Sequence, residues 1–118
     1  MIAMNNRVHI FALPAMKERL IDFFTNILEC EVSEVPGTSI LAFQFPDGGS
    51  LSVEFTDDAL DEKQTGRAAW LEIRTDDSIT LINRVVSAGL ARVEYLGSDR
   101  FYFQAPGGQV WGILEVDG

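Results

Sequence analysis

The sequence is poor in the residues that most readily announce a chemistry. Its 118 residues include one histidine, His9, and one cysteine, Cys30. A lone cysteine closes no internal disulfide and builds no thiolate metal site by itself, so Cys30 reads as a small buried hydrophobe. Positive charge is scarce as well: 9 Lys+Arg stand against 18 Asp+Glu, for a formal net charge of −9. A nucleic-acid backbone requires clustered cations, so nucleic acid is not an expected partner, and a neutral or cationic small ligand fits better. No apolar run approaches the roughly 18 residues of a membrane span. The opening MIAMNNR lacks the cationic start and apolar core of a secretory leader. The expectation is a cytoplasmic protein without membrane attachment. No phosphate loop or dinucleotide fingerprint occurs. Gly48-Gly49 and Gly107-Gly108 follow prolines and separate apolar runs, so they read as turn formers. No nucleophile elbow is present either, and the single histidine would need a Ser or Cys brought to it by the fold, which gives a hydrolase little support.

What remains suits one globular domain. Apolar residues make up 47% and charged residues 23%, proportions that support a packed core rather than disorder. Arg7 to Leu13 is rich in β-branched and aromatic residues and stops at Pro14, as a strand does. From Ala15 to Leu28, Met16, Leu20, Phe23, Phe24, Ile27 and Leu28 recur at intervals of three and four, the spacing of an amphipathic helix. Glu31 to Val35, Ser39 to Phe45 and Leu51 to Phe55 follow as three short strands separated by Pro/Gly turns. The order then repeats. Ala68 to Thr75 reads as a strand, and Asp76-Asp77-Ser78 offers capping oxygens for a helix whose apolar face is Ile79, Ile82, Val85 and Val86, ended by Gly89. Ala91 to Leu96, Arg100 to Gln104 and Val110 to Val116 are the last three strands. FQFPDGGSLSVEF (Phe43 to Phe55) and FYFQAPGGQVWGILE (Phe101 to Glu115) share an aromatic-x-aromatic strand, a Pro-x-Gly turn and a closing apolar strand. The expected fold class is therefore α+β: two βαβββ modules, 7–56 and 68–116, joined by a polar linker at 57–67 without chemistry of its own. Neither module closes a core alone, so the two are expected to pair as a cup-shaped curved sheet with the helices outside.

At this point the residues carry a resemblance. FFTNILECEV (Phe23 to Val32) resembles the helix-to-strand signature of the vicinal oxygen chelate superfamily, and APGGQVWGILE resembles its closing turn and last strand. That superfamily includes glyoxalase I, extradiol dioxygenases, fosfomycin-resistance proteins and metal-free bleomycin-resistance proteins. The resemblance implies the paired-module fold, often completed or doubled in a homodimer, with metal ligands on the first and last strands of each module. The matching positions here hold His9, Glu54, Trp70 and Gly112. The first two are competent ligands and the other two are not, whereas a catalytic ion takes about three protein ligands. Glu72 shares the face of Trp70 one pleat repeat along, so a shifted set of His9, Glu54 and Glu72 is conceivable, while Glu115 is out of phase with Gly112.

Strand alternation sorts the remaining candidates. Leu51, Val53 and Phe55 belong under a helix, which turns Glu54 to the open face, either to touch a ligand or to pair with Arg74 or Arg100. Leu71 and Ile73 belong in the core, with Trp70, Glu72 and Arg74 opposite them. Trp70 there either stacks on a flat or cationic guest, fills the space of a lost metal site, or packs in a dimer interface. Tyr102 and Leu114 face the same side, and Gly112 leaves room for a ligand. His9 is read either as a hydrogen-bonded interior or cleft-lining residue or as one that contacts a ligand or transfers a proton. The first functional expectation is a small-molecule-binding protein without metal or cofactor, its ligand touching His9, Glu54, Trp70, Glu72, Tyr102 and Leu114. The second is a divalent-metal-dependent lyase, isomerase or dioxygenase with a degenerate site at His9 and Glu54. The third is an interaction module whose cup has collapsed.

Overall fold

A computed structural model describes residues 1–95 and 97–116, and the chain divides into two compact units at the boundary between Ala59 and Leu60. In the first unit, β1 (Arg7–Ala12) is followed by a 3₁₀ turn (Pro14–Met16), helix α1 (Lys17–Asp22) and a π-helical turn (Phe23–Ile27). Pro14 opens this helical stretch at a position where its missing N–H costs nothing and its fixed φ fits. The π turn, closed by Leu28 N–H on the Phe23 carbonyl at 3.2 Å, is wider than an α turn. It brings the consecutive pairs Phe23/Phe24 and Ile27/Leu28 inside together. Phe24 stacks on Phe43 with ring centroids 4.5 Å apart. Burying a side chain of this size is worth about 2 kcal/mol.

Strands β2 (Glu31–Glu34), β3 (Ile40–Gln44) and β4 (Ser50–Phe55) complete a sheet of order β1-β4-β3-β2, in which β1 and β4 run parallel and the others antiparallel. Leu41, Phe43, Leu51 and Val53 are buried on the side covered by the helical stretch. The pleat therefore turns His9, Ser52 and Glu54 to the opposite face.

The second unit repeats the topology. β5 (Leu71–Thr75), α3 (Ser78–Ser87), β6 (Arg92–Val93), β7 (Phe101–Gln104) and β8 (Val110–Glu115) form a sheet of order β5-β8-β7-β6. The strand pairs read as duplicated, β3-β4 and β7-β8, occupy equivalent places in the two sheets. Helix α3 is capped at its start by Asp77, which accepts the Thr80 N–H at 3.1 Å, and ends before Gly89 at φ +76°. Its inner face differs from the sequence expectation. Leu81 and Val85 are buried, while Ile79 and Val86 are 72% and 58% exposed. The helix presents Ser78, Leu81, Ile82 and Val85 to the sheet, and at roughly 100° per residue this turns 79 and 86 away.

Three further expectations are corrected by the backbone. β5 begins at Leu71, so Trp70 precedes the strand. β6 spans only Arg92–Val93 of the expected Ala91 to Leu96, and Leu96 lies outside the described residues. The polar connection holds a helix of its own, α2 (Glu62–Thr65), closed by reciprocal bonds between Asp61 and Gln64. This segment is fastened to the β7–β8 turn, because the Gln104 side-chain amide donates to the Glu62 carbonyl at 2.9 Å and to the Gly108 carbonyl at 3.0 Å. Gly108, at φ +105°, lies so close that an added Cβ would stand 2.6 Å from the Glu62 backbone.

Candidate functional site

In the first unit, β1 and β4 run parallel in a register that sets His9 opposite Ser52, with Glu54 one pleat repeat further along. The His9 ring bridges the two. Its Nδ1 lies 2.6 Å from Ser52 Oγ, and its Nε2 lies 3.2 Å from Glu54 Oε1. Phe11, half exposed on the same strand face, meets the imidazole edge-on at 5.0 Å. The His9 and Glu54 side chains are 39% and 40% exposed, so water reaches the cluster. Arg74 and Arg100, the alternative partners considered for Glu54, belong to the second unit; Arg100 is paired there with Glu72.

The second unit carries a different surface. On the face away from α3, Trp70, Tyr95 and Tyr102 touch one another, with ring centroids 5.3, 5.3 and 6.1 Å apart. Trp70 precedes one edge strand and Tyr95 follows the other, so the three rings reach across the sheet. The Trp70 indole N–H is tied to the Gly66 carbonyl at 2.9 Å, which makes the connecting segment a support for the ring. Tyr102 lies directly over Gly112, where an added Cβ would be 2.7 Å from its ring. The space expected at Gly112 for a ligand is thus taken by the chain's own tyrosine. Glu72 and Tyr102 both face Gly112 in the strand register, and Leu114 stands opposite Arg74, half buried. Glu115 falls on the other face, accepting from Ser78 N–H and Oγ at 3.0 Å each, as its phase in the strand requires.

The structure therefore groups the six residues singled out in the sequence into His9 with Glu54, Trp70 with Tyr102, and Glu72 with Arg100, while Leu114 takes its place by register. Sequence reading missed Ser52 and Tyr95. Serine in a strand carries no distinguishing pattern, and Tyr95 lies beyond the end of its strand, where alternation no longer reports a face. The donor set can also be tested against a resident metal ion. His9 and Glu54 supply one imidazole and one carboxylate, and the second imidazole nitrogen is engaged by Ser52. Among the described residues no three or more His, Cys, Asp or Glu side chains gather as ligands. Two donors fall short of the usual three, so these residues do not fit such an ion.

No helix among the described residues is long and apolar enough to cross a membrane. No protein-family profile matches the chain, and no curated protein matches it in sequence. Solved structures do match. A glyoxalase family protein from Bacillus anthracis superposes with a TM-score of 0.75 at 14% identity, over 98% of this chain and 96% of that one. The fosfomycin resistance protein FosX from Listeria monocytogenes, in complex with Mn(II) and dihydroxypropylphosphonic acid, gives 0.74 at 12% identity over 96% and 90%. An integron cassette protein from Vibrio cholerae gives 0.70 at 14% identity over 98% and 96%. The chain thus has the α+β fold of the glyoxalase and fosfomycin-resistance proteins, the vicinal oxygen chelate fold that its sequence resembles.

Proposed function

We propose that this chain is a small-molecule-binding protein without a resident metal ion, and that its ligand is a flat or cationic organic molecule held on the aromatic face of the second unit. The observation that carries this reading is the contact of Trp70, Tyr95 and Tyr102 on one sheet face, with Tyr95 still 58% exposed. Aromatic rings in this arrangement give stacking surface at little entropic cost and attract cations through their faces, at about 0.5–2 kcal/mol per contact. Charge supports the same sign of guest. FosX was crystallised with a phosphonic acid, an anion, whereas this chain carries −9 and sets Glu72 on the face of Tyr102. Arg100 holds Glu72 in an ion pair, so an arriving cation competes with Arg100 for the carboxylate while the rings receive its apolar part. Leu114 adds apolar surface beside them.

The test is a titration with benzyltrimethylammonium, its neutral isostere and a matching aromatic carboxylate, followed by tryptophan emission and by thermal shift. The cation is expected to bind, to raise the melting temperature, since saturation at 100 times Kd adds about 2.7 kcal/mol, and to lose most of its affinity in Trp70→Ala. Elemental analysis of protein purified without chelator should find substoichiometric zinc, nickel, iron and manganese, and binding should survive EDTA. Failure of all three compounds to bind, or loss of binding with chelator, would overturn the reading.

A further inference from the structure

We propose that Ser52, His9 and Glu54 form an acyl-transfer site on the first unit that hydrolyses small activated carboxylic esters, independently of ligand binding on the second unit. The inference starts from the two contacts of a single imidazole. A carboxylate only accepts, so in the neutral ring the nitrogen facing Glu54, Nε2 at 3.2 Å, is the one that carries the proton. The lone pair is then on Nδ1, 2.6 Å from Ser52 Oγ, and the serine hydroxyl donates to it. A nucleophile bonded to a base whose other nitrogen is oriented by a carboxylate is the arrangement that activates serine, and it is recognised by geometry rather than by position in the chain. Here three residues of two parallel strands provide it with no elbow motif, the fold bringing to the single histidine the serine that no local motif supplies.

The chemistry closes without a cofactor. Ser52 Oγ attacks the ester carbonyl carbon while its proton passes to His9 Nδ1. The C–O bond to the alcohol then breaks, and the leaving oxygen takes that proton. Water attacks the acyl-serine, giving one proton to Nδ1, and the acid departs as the proton returns to Ser52. His9 and Glu54 are 39% and 40% exposed, so water has access for this second step. Arg7, opposite Ser50 in the register and one pleat repeat before His9, puts a positive charge on the same strand face, of the sign a developing oxyanion requires. Phe11, edge-on to the imidazole at 5.0 Å, offers apolar surface to an aryl or short acyl group. Glu54 acts as a positioning residue through the ring.

The experiment is hydrolysis of p-nitrophenyl acetate by the full chain, followed by p-nitrophenolate release and by peptide mass spectrometry of the quenched reaction, with variants checked for native circular dichroism. Release should exceed that of the denatured chain, and Ser52→Ala and His9→Gln should each lower it by about 100-fold. Glu54→Gln should lower kcat with KM unchanged, and Ser33→Ala should have no effect. Acetyl should be found on the peptide carrying Ser52, and a fluorophosphonate probe should label Ser52 in the unsubstituted chain but not in His9→Gln. Release no faster than from the denatured chain, full activity in Ser52→Ala, or acetyl confined to His9 or lysine would overturn the proposal.

Discussion

A single missing side chain organises the second unit's aromatic face. Gly112 is the position at which Tyr102 can lie against the sheet, and a methyl group there would meet the ring at 2.7 Å. Gly112→Ala is therefore expected to push Tyr102 off its seat, to cost about 1–3 kcal/mol in urea unfolding, and to shift tryptophan emission, because Trp70 packs on Tyr102. Unchanged emission would show that the three rings are not mechanically linked. Cys30 makes a prediction of another kind. Burial, with the nearby Asp47 charge adding to it, pushes its thiol up to about 12 from 9.0. The folded chain thus keeps a proton that the unfolded chain loses above 9.0, so stability should fall as pH rises from there, by up to about 1.4 kcal/mol per pH unit from this group. Denaturant midpoints measured across that range should fall less in Cys30→Ala, and native protein should alkylate far more slowly than unfolded protein.

At the scale of elements, the short connection between the two units has more structural work than its composition suggests. α2 is closed by Asp61 and Gln64, held by Gln104 and touched by Gly108, and its terminal Gly66 carbonyl receives the Trp70 indole. Asp61→Ala should cost about 1 kcal/mol as a lost cap and should weaken aromatic-ligand binding in parallel. Gly108→Ala should be the more damaging change, since backbone at 2.6 Å cannot swing aside and its φ of +105° is unsuited to a side chain. Helix α3 adds a pH dependence. The Thr80 hydroxyl, then the Thr80 N–H, hold the Asp77 carboxyl below its ordinary value. A lowered carboxyl stabilises the fold above its unfolded value and loses that contribution as pH falls through the native one. Helical ellipticity should accordingly decline on acidification, with the decline reduced in Asp77→Ala, whose melting temperature at neutral pH should already be lower.

For the whole molecule, charge is the property that composition alone decides. At −9, affinity for a cationic guest should weaken as ionic strength rises and affinity for a neutral isostere should not, because screening acts only on the charged interaction. Equal salt dependence of the two would show that the net charge contributes nothing to recognition. The duplicated architecture was legible before any coordinates. Period-2 patterns such as LSVEF and LEIRT identify the buried side of each strand, and Pro/Gly punctuation separates the strands, since these depend on local backbone chemistry and burial alone. The same alternation set Glu54 on an open face and left Glu115 out of phase, whereas His9, on a strand without a clean alternation, was placed by the superfamily resemblance. Helical spacing failed for Ile79 and Val86, because several apolar residues compete for one helix face and the sheet beneath decides which are buried.

What the sequence determined by itself is thus the order of the strands and of the two helical stretches that follow β1 and β5, the repeat and the face on which most strand side chains lie, because each follows from neighbours a few residues away. Only the tertiary structure decided that Ser52 meets His9, that Tyr95 joins Trp70 and Tyr102, and that Tyr102 occupies the room at Gly112. The first joins residues 43 positions apart, and all of them depend on the lateral register with which the strands pair, which alternation within a single strand does not encode.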